Sequence, residues 1–107
     1  MYIGKELKDN MASSKDYRDF ILEQLSALED ISCKPMMGEF LLYYKGILFG
    51  GIYDDRFLVK KTSTNAKYNM DDAVPYDGAK AMYLVDSEER ETLSEIIIDT
   101  CKGLIKK

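Results

Sequence analysis

The chain has 107 residues, 46% hydrophobic and 32% charged, the balance of one folded domain rather than of a disordered segment. Its net charge of −4 argues against a free-standing DNA-binding domain, because affinity for DNA comes largely from Lys and Arg on phosphates. Histidine is absent, which removes the commonest general base, the commonest metal ligand and the usual physiological pH switch together.

The opening residues MYIGKELKDN mix acids and bases around no apolar centre and do not spell a secretory signal. No apolar run approaches the roughly 18 residues that span a bilayer. A cytoplasmic protein without a membrane segment is the expectation. Met11-Ala12-Ser13-Ser14 reads as a second start, so residues 1–10 are expected to be an N-terminal extension and residues 11–107 the domain. Ser13-Ser14 followed by Asp16 marks a helix start, a serine cap with an acid in the first turn. Tyr17, Phe20, Ile21, Leu25 and Leu28 follow at helical spacing, interrupted by Gln24, which predicts a helix over residues 14–29.

Ile31–Met37 and Glu39–Lys45 have strand character and hinge at Gly38. Lys45-Gly46 reads as a tight hairpin turn, since glycine supplies a positive φ without a steric cost. Ile47–Tyr53 is the next strand, and its Gly50-Gly51 pair suggests a bulge or the close approach of another backbone. Asp54-Asp55 turns the chain into a strand over Arg56–Lys61, in which Phe57 and Val59 alternate with Arg56, Leu58 and Lys60. Thr62–Met70 is expected to hold a short helix capped by Thr62 or Ser63. Asp71–Lys80, with Pro75 and Gly78, is expected to be a loop, and Ala81–Val85 a last strand. Asp86-Ser87-Glu88-Glu89 has capping-box spacing, and Leu93, Ile96, Ile97, Thr100, Cys101 and Leu104 form the apolar stripe of a long final helix. The order predicts an α+β domain, an antiparallel β-meander sheet packed in two layers against N- and C-terminal helices.

Chemistry is sparse. Cys33 and Cys101 lie far apart with no metal-ligand spacing and read as small buried apolar residues. Asp54-Asp55 supplies too few oxygens for a hard cation and suits a turn. No catalytic, metal or cofactor set emerges, and no enzyme is expected. Lys60-Lys61 at a strand end, followed by Thr62-Ser63-Thr64, has the charges and hydroxyls to hold a phosphate or carboxylate, or merely closes a solvated strand end. Met36, Met37, Met70 and Met82, with Tyr43, Tyr44, Tyr53, Tyr68 and Tyr83, form a soft aromatic set suited to a partner surface or to a core. Adjacent Tyr43 and Tyr44 must face opposite sides of a strand. Basic residues gather between Lys34 and Lys67, and acidic ones between Asp71 and Asp99, a division that suits self-association, a charged partner or two solvated faces.

Met11-Ala-Ser-Ser-Lys15, Met36-Met-Gly-Glu-Phe40, Tyr43-Tyr44, Gly50-Gly-Ile-Tyr-Asp-Asp-Arg56, Leu58-Val-Lys60, Pro75-Tyr-Asp-Gly-Ala-Lys80 and Leu84-Val-Asp86 resemble the N-terminal domain of the TfoX/Sxy family. The resemblance runs from Met11 to about Lys102 and implies a compact α+β fold with an antiparallel sheet. It also implies a competence or transcription co-regulator, acting beside a cyclic-AMP receptor protein. The family's C-terminal helical domain has no counterpart in these residues, and the family motif carries no catalytic set. The expected function is a small interaction module that engages a protein partner, such as a transcription factor, without direct nucleic-acid contact. A homodimer is compatible with it. The contact residues expected are Met36, Met37, Glu39, Tyr43, Tyr44, Arg56, Lys60 and Lys61. The alternative is a small-molecule or anion-binding domain using the Lys60-Lys61 strand end.

Overall fold

The structure is a computed structural model that describes residues 14–105. The expected extension over residues 1–10 and the start at Met11 lie outside the described residues. Helix α1 (Lys15–Gln24) begins on Ser14, whose Oγ accepts the Tyr17 N–H at 3.1 Å. It ends sooner than its apolar stripe. Leu28 N–H bonds the Leu25 carbonyl in a tighter turn, and Asp30 at φ +64° reverses the chain towards the sheet. The stripe still works without the last helical turn: Ile21 and Leu25 are buried and Leu28 packs beside them.

Among the described residues six antiparallel strands follow: β1 (Ile31–Met36), β2 (Glu39–Tyr44), β3 (Ile47–Ile52), β4 (Phe57–Val59), β5 (Asp71–Ala73) and β6 (Met82–Leu84). Their order across the sheet is β1-β2-β3-β4-β6-β5, so the expected meander holds through β4 and the rest of the chain adds a returning hairpin. β5 is built from residues expected to lie in a loop. It is an edge strand whose Asp71 and Asp72 are both exposed, so it carries no apolar alternation to read.

Three hairpin turns hold the meander in register. Met37-Gly38, Lys45-Gly46 and Asp54-Asp55 all have positive φ at both central residues, the geometry that matches strand twist. Gly50 and Gly51 answer to both expectations. The pairing of β2 with β3 slips between Leu42 and Tyr43, leaving Phe49 as the extra residue. A Cβ on Gly51 would sit 2.6 Å from the Phe40 carbonyl oxygen, and one on Gly50 would collide with the Leu58 carbonyl.

The expected helix over residues 62–70 shrinks to a 3-10 turn at Ala66–Tyr68. Before it, Thr62 and Asn65 bond reciprocally: Thr62 N–H donates to Asn65 Oδ1 at 3.0 Å, and Asn65 N–H to Thr62 Oγ1 at 3.1 Å. Helix α2 (Arg90–Ile105) starts after Glu89, not Asp86. Val85 N–H still bonds the Phe57 carbonyl, which keeps the chain extended past β6 and delays the first turn. Both helices lie on one face of the sheet, where Ile21, Leu25, Leu93, Ile96 and Ile97 meet Phe40, Leu42, Phe57 and Val59. Among the described residues, no helix is long and apolar enough to cross a membrane.

Candidate functional site

Strand alternation divides the predicted contact residues between two faces. On β2, Phe40, Leu42 and Tyr44 join the helix side, whereas Leu41 and Tyr43 point away from it. Register adds Lys34 opposite Leu41, Leu48 opposite Tyr43 and Met36 opposite Glu39. The helix-free face therefore carries a strip of exposed Met36 and half-buried Leu41, Tyr43 and Leu48, with the Lys34 ammonium 5.6 Å from the Tyr43 ring centroid. Tyr44 packs against the core, with Lys45 over its outer side at 5.4 Å.

The strip ends at the β1–β2 turn. Met37 is 94% exposed and sits at φ +53°, a left-handed position that a long unbranched side chain rarely takes. Glu39 and Arg56, also expected at a contact surface, hold the scaffold. Glu39 Oε1 accepts the Asp54 N–H at 3.0 Å. The Arg56 guanidinium donates to the Tyr53 carbonyl at 3.1 Å, to Val74 at 3.0 Å and to Pro75 at 3.3 Å. It ties residues 74–76 down beside the sheet, where Pro75 is buried and the Tyr76 ring lies 6.3 Å from that of Tyr53.

Leu58 departs from its strand's alternation. Alternation predicts it on the solvent side, yet it is fully buried and stands outside the helix-side core cluster. Strand β4 is covered on both faces. A groove of about 520 Å³ remains between the segment and the sheet, walled by Leu48, Tyr53, Tyr76 and Met82 and rimmed by Lys60, Lys61 and Lys80.

The two predicted anion-binding lysines differ. Lys61 Nζ lies 2.8 Å from Asp72 Oδ2 and 5.1 Å from the Tyr83 ring centroid, and its hydrogen bond to Asp72 raises its pKa. Lys60 makes no ion pair among the described residues. The neighbouring hydroxyls are engaged internally. Thr62 Oγ1 and Thr64 Oγ1 share a 2.8 Å hydrogen bond, and Thr64 Oγ1 donates to the Asp99 carbonyl at 2.6 Å. Asn65, wholly buried, donates to the Lys60 carbonyl and to Thr100 Oγ1, both at 2.8 Å.

Titration is perturbed elsewhere for structural reasons. Tyr68 OH donates to Asp99 Oδ2 at 2.6 Å, and Lys67 lies 3.1 Å from the same oxygen. Burial first, then this bond, pushes Tyr68 up to about 12, while Tyr68 and Lys67 hold Asp99 below its ordinary value. Burial pushes the Cys101 thiol up to about 11 and also raises Cys33, so neither is an activated thiolate. Among the described residues, no group of three metal-ligating side chains converges.

Sequence reasoning missed the groove because its wall is tertiary. Tyr53 and Met82 stood in the soft aromatic set, but Tyr76 and Lys80 were visible only inside the Pro75–Lys80 motif. The available signal was Arg56, a cation following a turn, whose donors had to end on acceptors somewhere.

No family model matches the chain. Over 98 residues, 88% of this chain and 85% of the relative, it is 28% identical to the "Uncharacterized 12.7 kDa protein in trpE 5'region" of Spirochaeta aurantia.

Proposed function

We propose that the chain is a small non-enzymatic interaction module. It works in the cytoplasm and docks a protein partner through the helix-free face of its sheet and the methionine tip. One observation carries this reading. Met37 places a flexible apolar side chain in water at a turn position where glycine or asparagine would fold better. Such a conflict between local folding and side-chain choice is expected where a residue serves something outside the fold. Methionine suits that use, since its unbranched thioether adapts to irregular partner surfaces.

The strip behind the tip extends the contact with Met36, Leu41, Tyr43 and Leu48, and Lys34 favours an acidic rim on the partner. The TfoX/Sxy resemblance supports a transcription factor as that partner and a co-regulatory role. The acidic net charge supports contact through a protein rather than with nucleic acid directly. Photo-crosslinking tests the reading, with a benzophenone side chain at position 37 or 43 and, as control, at Glu91 on the exposed side of α2. The same protein species should be captured from position 37 and position 43 and not from position 91. Equal capture from all three positions, or none from the first two, would sink the proposal. Cross-links between copies of the chain would assign the face to a homodimer instead.

A further inference from the structure

We propose that the groove under residues 74–81 binds a small organic anion. Its apolar or aromatic body would lie among Leu48, Tyr53, Tyr76 and Met82, with a carboxylate or phosphate against Lys60 and Lys80. This site is separate from the methionine tip and shares Leu48 with the strip behind it.

Shape comes first. A volume of about 520 Å³ is within the range of small-molecule sites, and such sites are mostly apolar with few polar groups. The roof is held before any ligand arrives: two Arg56 hydrogen bonds, to the Val74 and Pro75 carbonyls, tether it, a third fixes Arg56 to Tyr53, and Pro75 restricts its backbone. A preformed wall spares a ligand the entropy of ordering one. Gly50 contributes backbone to the lining.

Charge gives the ligand its sign. No lining residue is acidic, whereas three are lysines. Asp72 already neutralises Lys61. Lys60 and Lys80 have no ion pair among the described residues, so their ammonium groups are left for an incoming anion. An aromatic wall beside them suits a ligand carrying an apolar group next to its charge, and Tyr76, 61% exposed, has a ring face to offer it.

The test is an amide NMR titration of the whole chain with benzoate, phenyl phosphate and uncharged benzyl alcohol. Either anion should give saturable shifts confined to the groove, at Leu48, Lys60, Tyr76, Lys80 and Met82. Benzyl alcohol should bind at least about fivefold more weakly, the worth of one exposed charge contact. The better of the two anions then distinguishes a carboxylate from a phosphate ligand. Lys60→Gln with Lys80→Gln should weaken binding about tenfold. Lys34→Gln, which removes a positive charge on the same face outside the groove, should leave it unchanged. Three results overturn the proposal: shifts that never saturate, equal binding of benzyl alcohol, or equal weakening by Lys34→Gln.

Discussion

Met37 and Asn65 are opposite cases of a residue set against its surroundings. Met37 spends conformational energy on a position that gives nothing back to the fold, for its side chain is 94% exposed. Met37→Asn sets an asparagine before Gly38, the preferred pair for this turn, and should stabilise the protein by about 0.5–1 kcal/mol in urea unfolding. A loss of stability would show that the methionine packs on something within the chain. Asn65 does the reverse. Its side chain takes the Thr62 N–H and supplies the Lys60 carbonyl and Thr100 hydroxyl, joining the turn to α2 inside the protein. Asn65→Ala strands those groups and should cost about 2–4 kcal/mol by the same measurement. Neither role was legible from residue type. Met37 was one of several methionines, and Asn65 was one polar residue in a polar stretch.

Periodicity revealed some elements and hid others. The stripe from Leu93 to Leu104 announced α2, and the glycines and aspartates between short apolar runs announced the meander. β5 had no such signal, because an exposed edge strand needs no apolar face and Asp71-Asp72 supplied none. In β4 the alternation misled, since Leu58 is fully buried on the side that it assigned to solvent. The capping box at Asp86 failed because a backbone bond from Val85 to Phe57 took precedence over the local cap. The contact between the 3-10 turn and α2 has a pH signature. Asp99 is lowered, so its stabilising contribution is present above the ordinary aspartate value of 3.8 and is lost as pH falls through the lowered one. Tyr68 is raised, so its contribution is complete below pH 10 and lost as pH rises towards about 12. Tyr68→Phe should remove about 1 kcal/mol at neutral pH and flatten both limbs of the urea-midpoint profile. Unchanged limbs would mean that the bond does not persist in solution.

For the whole molecule, both described helices pack on one face of the sheet, and among the described residues no helix covers the other. The basic and acidic halves of the sequence meet within the fold, through Lys61 with Asp72 and Lys67 with Asp99. That division is therefore partly internal, while Lys34, Lys45, Lys60 and Lys80 make no ion pair among the described residues. The two-layer α+β architecture was readable from the order of elements, but the composition of the exposed face required the β2–β3 slip and the Arg56 tether. The interior should be chemically quiet. At pH 8 a disulfide reagent should label half-buried Cys33 slowly and Cys101 only on unfolding, as its thiol value of about 11 and its burial require. Rapid labelling of Cys101 would place it outside the core.

The most direct measurement compares the partner bound by the wild-type chain and by Met37→Asn, both confirmed folded, in quantitative affinity capture. A docking tip predicts that the variant, although more stable, recovers at least about fivefold less, the worth of about 1 kcal/mol of lost contact. Equal recovery by the two proteins would contradict the assignment of this face.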